Sequence, residues 1–333
     1  MSIKQPSYTS QFNRVRAKLE DVIPLDTPFV VYIEPSSFCN LRCKFCPQSL
    51  NAEGISKSIM DYTTFENACK SIKLFPHRLK KIRFCGTGEP LYNRSLLNMA
   101  KLSREFDLAD TLELITNATL LTEDDITQLP IYLDKIIISL EGFSTDDYLR
   151  FSSKKIDFSR LVDNINAMAS VPNKRAVIHV KIHHLVLPDR AECQKKLQDL
   201  FGKYVDEFFI EGVVDMWPGA KQQQALEGRH RFFDSPQIPT RVCPQIFKSL
   251  QINANGDVIP CCVDWRAMNL LGNIKQQSLQ DIWNGEKLRN LRLKHLLGER
   301  KTFMPCMECS MNESCETDNI DNSANKIIER IQR

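Results

Sequence analysis

The sequence predicts an α/β protein: a partial (β/α)6 barrel over residues 28–220, then a small C-terminal β-hairpin and helix domain over residues 221–333. Three observations carry that expectation. Short β-branched runs alternate with amphipathic helical patterns up to about residue 215, each stopped by Gly or Pro, which is the mark of βαβ units and a parallel sheet. The stretch "DMWPGAKQQQALEGRHRFFDSPQIP" is polar and proline-bearing and breaks that alternation near residue 220. Beyond it, "SLQINANGDVIPCC" reads as a β-hairpin turning at Asn255-Gly256.

The elements follow in order. Residues 1–27 form an N-terminal extension with a helix in "QFNRVRAKLEDV" and a Pro-containing lead-in. "FVVYIEP" is a strand ending at Pro35, "FENACKSIKLF" has helical spacing, and "LKKIRFCG" is a strand stopped by Gly86. "SLLNMAKLSREFD" is helical, "TLELITN" a strand, and "TEDDITQLP" a short helix closed by Pro130. "LDKIIISLEG" is a strand stopped by Gly142, and "FSRLVDNINAMASV" is a helix before Pro172. "AVIHVKIHHLVL" is a strand, "RAECQKKLQDLFG" a helix and "VDEFFIEGVV" a further strand, making roughly six units. In the C-terminal part, "SLQDIWNGEKLRNLRLKHLLG" is helical with a break near Asn284-Gly285.

Composition excludes several classes. A net charge of +3 with no Lys/Arg block gives no electrostatic case for nucleic acid. The N-terminus "MSIKQPSYTSQFNRVR" lacks the apolar core of a secretory signal, and no apolar run approaches the ~18 residues that span a bilayer. The expected setting is cytoplasmic, with no membrane or nucleic-acid partner. In a reducing compartment, twelve cysteines point to metal ligation or burial as small hydrophobes and away from disulfides. They cluster as Cys39, Cys43 and Cys46 near the start and as Cys243, Cys261, Cys262, Cys306, Cys309 and Cys315 near the end, so two sites are expected. Cys69 and Cys193 fall on helical patterns and read as buried hydrophobes; Cys85 is open to either reading.

"SSFCNLRCKFCP" spaces three cysteines as C-x3-C-x2-C, just past the first strand, at the strand end where α/β folds build their sites. Thiolates select Fe–S clusters, zinc or Cu(I). Three of them on a [4Fe–4S] cube leave one iron open to a ligand that is not protein. The competing readings are a zinc site with a remote fourth ligand and reduced core cysteines.

"CNLRCKFC", with an aromatic before its last Cys, resembles the cluster motif of the radical S-adenosylmethionine (radical SAM) superfamily over roughly residues 28–215. The resemblance implies that Cys39, Cys43 and Cys46 hold a [4Fe–4S] cluster whose open iron binds the methionine amino and carboxylate groups of SAM. One electron from the cluster then cleaves SAM, and the resulting 5′-deoxyadenosyl radical abstracts a substrate hydrogen. A flavodoxin- or ferredoxin-type electron donor is implied with it. Phe45 corresponds to the aromatic whose backbone approaches the adenine. "GTGEP" is similar to the family's Gly-Gly-Glu-Pro turn that takes the SAM amino group: Gly88, Glu89 and Pro90 match, and Thr87 stands for the first Gly. Asn117 and Ser139 lie at strand ends that face SAM in relatives. Lys181 and His183 are candidates to meet a carboxylate or substrate, and for His183 and His184 packing weighs equally.

The second set, Cys243, Cys261 at the end of a G-x4-C spacing, and C-x2-C-x5-C at Cys306, Cys309 and Cys315, resembles the SPASM/twitch extension that carries auxiliary [4Fe–4S] clusters. Position 319 is Asn and no cysteine follows Cys315, so one closed cluster fits, held by Cys243, Cys261, Cys306 and Cys309 with Cys315 or Cys262 as substitutes. Tetrahedral zinc on four cysteines is the alternative. In relatives with one such cluster, substrate oxidation of an alcohol to a ketone sends an electron to it. The expected enzyme is therefore a SAM-consuming dehydrogenase acting on a sugar, aminocyclitol or nucleotide-linked sugar. Epimerisation, with Cys262 as hydrogen donor, decarboxylation, and peptide maturation are the alternatives. Only 38 residues precede Cys39, which counts against a leader-binding module. Asp215, Trp217, Asp264 and Trp265 are candidates to line the pocket, with surface or packing roles as the alternative.

Overall fold

The computed structural model describes residues 6–8, 18–50, 54–214, 217–220, 239–311 and 318–332. Strands β1 (Ser7–Tyr8), β2 (Val30–Ile33), β3 (Leu79–Phe84), β4 (Ala109–Thr116), β5 (Lys135–Leu140), β6 (Val177–His183), β7 (Glu207–Glu211) and β8 (Ser249–Ile252) all pair in parallel. Strands β9 (Asp257–Ile259) and β10 (Gly272–Asn273) add antiparallel edges. The order β1-β7-β6-β5-β4-β3-β2-β8-β9-β10 is one open sheet, a barrel that does not close.

Most crossover helices start where a side chain can accept the first free N–H groups. Asp61 accepts from Thr64 N at α2 (Tyr62–Ile72), Asp157 from Arg160 N at α6 (Phe158–Ala169), and Asp189 from Glu192 N at α7 (Arg190–Phe201). Helix α3 (Leu96–Glu105) has no such cap, whereas α4 (Glu123–Tyr132) has a reciprocal capping box between Thr122 and Asp125. The remaining helices are α1 (Leu19–Val22), α5 (Thr145–Ser152), α8 (Leu279–Asn284), α9 (Glu286–Leu296) and α10 (Ala324–Gln332).

The structure departs from the sequence expectations in three places. Helix α4 continues past Pro130 instead of ending there. The proline sits in the last turn, where only one intrahelical bond is lost, and its carbonyl accepts from Arg175 N and Ala176 N at 2.9 Å each. Helix α5, capped by Ser144, was not foreseen. Of the N-terminal helix only Leu19–Val22 falls within the described residues, and most of the stretch after residue 220 lies outside them. Finally, the hairpin β8–β9 is continuous with the barrel sheet, because β8 pairs with β2 from Val30↔Ser249 to Ile33↔Ile252. Gly256, at φ +93°, makes its turn.

Register explains what the barrel encloses. Ile82, Leu112, Leu114, Ile136, Ile138, Ile178 and Val180 face the helices in the main apolar core. The alternate residues face inward, and one cross-strand row runs Tyr32↔Arg83↔Glu113↔Lys135. Three inward ion-pair groups result. Glu113 accepts from Lys81 Nζ at 2.5 Å and from Arg83 Nη2 at 2.5 Å and Nε at 2.8 Å. Glu207 binds Lys135 at 2.5 Å and His179 Nδ1 at 2.8 Å, and Glu211 accepts from Lys181 Nζ at 2.7 and 2.9 Å.

Candidate functional site

The loop after β2 carries Cys39, Cys43 and Cys46 and is pinned from two sides. Arg42 N and Lys44 N donate to the carbonyls of Ser152 and Phe151 at the end of α5, at 2.9 and 3.0 Å. On the other side it meets the turn after β3. A Cβ on Gly88 would lie 2.2 Å from the Ser36 carbonyl oxygen and 2.6 Å from that of Phe38, so only glycine lets this turn approach the cysteine loop. Glu89 N donates to Phe38 O at 2.8 Å and locks the contact.

Glu89 is 3% exposed and already engaged. One carboxylate oxygen accepts from Thr116 Oγ1 at 2.5 Å and Leu91 N at 3.0 Å, the other from Asn117 N at 2.8 Å. A carboxylate has about four acceptor sites, so one is left for an ammonium group. Burial raises its pKa to about 7, against those three hydrogen bonds. Asn117 turns its amide to the cysteine loop, donating to Asn40 Oδ1 at 3.1 Å and Cys39 Sγ at 3.9 Å. Ser139 sits on β5 opposite Lys181 of β6. Phe45 packs edge-on to His183 at 4.9 Å, and Phe151 flanks the same imidazole at 4.9 Å. His183 packs between the two rings, its Nε2 3.6 Å from Glu141.

Sequence reasoning missed Glu34. Buried just past β2, it accepts at Oε1 from Thr87 N (2.8 Å) and Thr87 Oγ1 (2.7 Å), and at Oε2 from Ala254 N (3.2 Å). Thr87, the departure from the Gly-Gly-Glu-Pro pattern, thus earns its place through its hydroxyl. Gln48 adds a second tie, donating to Ser37 O at 2.7 Å and Thr87 O at 3.0 Å. The one sequence signal was a carboxylate directly after a strand bound for the site. A cavity of about 120 Å³ opens beside Cys39, lined by Phe38, Arg42, Gln48 and Lys57 among others.

The second cysteine set converges. Cys243, Cys261, Cys306 and Cys309 line one cavity, otherwise walled mainly by Ile246, Pro260, Val263, Leu291 and Met311. Cys315 lies outside the described residues, as does Asp215. Strand β9 ends at Ile259, so Cys261 and Cys262 occupy the following turn. Their thiols adjoin instead of facing opposite ways as on an extended strand, and the Cys262 contact is the main influence raising the Cys261 pKa, ahead of burial. Cys262 packs with Trp217 against Val263, Cys309 and Met311. Asp264 accepts from Met268 N and Asn269 N, and Trp265 is buried, donating to Pro218 O at 2.9 Å; both hold the loop together. Cys69 and Cys193 are buried on their helices. Cys85 continues the inward alternation of β3, and Tyr32 has Cys85, Cys261 and Cys262 as neighbours.

Both thiol sets suit soft metal clusters. Burial pushes Cys39 up to about 11, helped by Glu89, and Cys46 up to about 12. Burial with Glu141 raises Cys43; burial with Cys261 lifts Cys243 to about 12 and Cys309 to about 11. Thiols so placed ionise only against cationic charge within the site, which bound iron supplies. Among the described residues no three His, Cys, Asp or Glu side chains converge on a single metal-ion position. The sulfurs of the second set instead line one cavity.

Comparison with known proteins agrees with this geometry. A model of the radical SAM superfamily matches residues 33–200, and one of an iron–sulfur cluster-binding domain, SPASM, matches residues 243–310. A Pyrococcus furiosus tungsten-containing aldehyde ferredoxin oxidoreductase cofactor-modifying protein is 24% identical, over 86% of this chain and 88% of its own. An S-adenosyl-L-methionine-dependent 2-deoxy-scyllo-inosamine dehydrogenase of Niallia circulans is 21% identical, over 87% and 95%. Among solved structures, Streptococcus suis SuiB bound to S-adenosylmethionine superposes with a TM-score of 0.63 at 15% identity, over 91% of this chain and 76% of SuiB. BtrN in complex with AdoMet and 2-DOIA gives 0.56 at 18% identity, over 87% and 96%.

Proposed function

This chain belongs to the radical SAM superfamily, and we propose that within it the protein oxidises an alcohol carbon of a small sugar-like substrate, an aminocyclitol or nucleotide-linked sugar, to a ketone. Its cofactors are a [4Fe–4S] cluster with SAM and, in the SPASM region, auxiliary iron–sulfur chemistry. We assign Cys39, Cys43 and Cys46 to the first cluster and Cys243, Cys261, Cys306 and Cys309 to a single auxiliary one. Residues 28–220 form the SAM-cleaving part, residues 221–333 the auxiliary part, and residues 1–27 an extension. When bound, the first cluster and SAM supply hydrogen abstraction, and the auxiliary cluster supplies a one-electron acceptor. A flavodoxin- or ferredoxin-type donor is the proposed source of reducing electrons.

The observation that carries this reading is the four-cysteine cavity. Four thiol ligands leave no corner for a substrate, so the site's remaining use is electron transfer. Oxidising an alcohol to a ketone removes a carbon-bound hydrogen, an electron and the hydroxyl proton. This chain's own part is to hold the substrate and receive the proton. The inward Lys181–Glu211 pair, whose Lys181 lies in the same register row as Ser139, offers both a donor and an acceptor for polyol hydroxyls. The Niallia circulans relative, whose name describes oxidation of an aminocyclitol, supports the substrate class.

One observation favours epimerisation as a second reading: two thiols, Cys85 and Cys262, neighbour Tyr32 on the inner face. Anaerobic turnover over a panel of sugars, aminocyclitols and peptides separates them. Oxidation gives a product two mass units lighter, and Cys262→Ala retains turnover. A product of unchanged mass carrying one solvent deuterium, lost in Cys262→Ala while SAM is still cleaved, refutes the dehydrogenase.

A further inference from the structure

Two side chains in the auxiliary cavity have uncommitted polar atoms. His295, on α9, is fully buried, lines the cavity, and has no hydrogen-bond partner at either ring nitrogen. Arg300, 6% exposed, lines it too; its Nη1 donates to the carbonyls of Cys306 and Cys309 at 3.3 Å each, while its Nε has no partner. The other polar groups of the wall are engaged: Asp264 accepts from two backbone N–H groups, and Asn269 donates to Met304 O at 3.3 Å. Each buried polar atom left unpaired carries the full desolvation penalty of that group. Three such atoms around one four-thiol cavity indicate an acceptor that belongs there.

Resting on the reading of Cys243, Cys261, Cys306 and Cys309 as ligands, we propose that His295 and Arg300 are positioning residues that donate N–H hydrogen bonds to sulfur of the auxiliary cluster and raise its reduction potential. An imidazole presents at least one N–H in either protonation state, and a guanidinium always does. Such donors neutralise the charge a cluster gains on reduction, and hydrogen bonds to sulfur are among the main determinants of cluster potential. Arg300 has a second task, because its grip on the Cys306 and Cys309 carbonyls sets the spacing of two ligands. The pair thereby makes this cluster a readier acceptor of a substrate electron.

The test uses full-length, anaerobically reconstituted protein with Cys39, Cys43 and Cys46 replaced by Ala, so that the auxiliary cluster alone carries the signal. His295→Leu and Arg300→Met are each expected to keep iron while lowering the midpoint potential by at least tenfold in the one-electron equilibrium, about 59 mV. His295→Gln, which restores an N–H, should recover most of that shift. Pulsed EPR of the reduced parent should show an exchangeable-proton coupling and a weak nitrogen coupling that changes with 15N-labelled histidine. Unchanged potentials in iron-replete His295→Leu and Arg300→Met overturn the proposal. Exchangeable protons without any histidine nitrogen coupling, meaning that water fills the cavity, overturn the His295 bond; this readout decides the matter even where a variant loses its iron. No substrate enters these measurements, so a failed alcohol oxidation leaves the result standing, and the reverse also holds.

Discussion

Replacing Gly88 by Ala tests whether the turn after β3 and the cysteine loop form one unit. The added methyl would sit 2.2 Å from the Ser36 carbonyl oxygen and 2.6 Å from both the Phe38 carbonyl oxygen and the Ser37 carbonyl carbon, where ordinary contact begins at 3.4 Å. All three are backbone atoms, so no rotamer relieves the clash, and one segment must move by more than 1 Å. Overpacking of this kind costs roughly 1–3 kcal/mol, well within the stability of an ordinary domain, so the chain should still fold. The displaced carbonyls flank Cys39, and a misplacement of about 1 Å at a reacting centre costs on the order of a hundredfold in rate. The expected Gly88→Ala protein has a melting temperature lower by several degrees, an intact auxiliary cluster, and SAM cleavage down about a hundredfold. Iron and sulfide analysis with anaerobic single-turnover SAM cleavage measures both. Wild-type cleavage with full iron would show that the turn and the loop are independent.

Replacing Cys39, Cys43 and Cys46 together by Ala should halve iron from about eight per chain to about four, as two [4Fe–4S] clusters require, and abolish SAM cleavage; zinc in place of half the iron in the parent contradicts the auxiliary site. Glu89, raised from 4.5 to about 7 by burial, contributes stability that is complete below its unfolded pKa and lost as pH rises through about 7. That loss amounts to about 3 kcal/mol, so Glu89→Gln should flatten the fall between pH 4.5 and 7 in denaturant titrations, and an unaltered pH profile counts against it. Glu113→Gln leaves the buried Arg83, with the half-buried Lys81 beside it, without its carboxylate, so the unfolding free energy should drop by about 3–5 kcal/mol; a loss below 1 kcal/mol would mean that water reaches the pair.

Local signals were legible in the sequence and distant pairings were not. The β/α alternation, the hairpin at Gly256 and the break before Gly285 are set by residues within a few positions of one another, and β9 and α8 start and stop beside them as expected. Pairing of β8 with β2 joins residues more than two hundred positions apart, which no periodicity reports. Glu34 escaped notice for the same reason, since its partners Thr87 and Ala254 are 53 and 220 residues away. Helix α5 is a short polar segment whose start depends on Ser144, and a single cap is a weak signal among many serines. The hairpin read over "SLQINANGDVIPCC" ends three residues before Cys262, because Pro260, which has no N–H for the ladder, follows the last strand residue.

The two cysteine sites are set relative to each other by one strand and one carboxylate. Strand β2 leads into the first cysteine loop, with β3 and its Gly88 turn on one side and β8, leading to Cys261, on the other. Glu34, at the end of that strand, bonds the turn through Thr87 and the hairpin through Ala254. Tyr32, two residues before it, faces inward beside Cys85, Cys261 and Cys262. Under the proposed alcohol oxidation, an electron leaving a substrate held among the inward side chains would cross the wall formed by β2 and β8. That wall is continuous sheet, not a hinge between lobes. An acceptor fixed by a sheet would keep its distance through the turnover, which suits the proposed oxidation, in which a substrate radical must lose its electron before it meets water. It also accounts for why the hairpin is joined to the barrel by parallel pairing along the whole length of β2 and not by side chains alone.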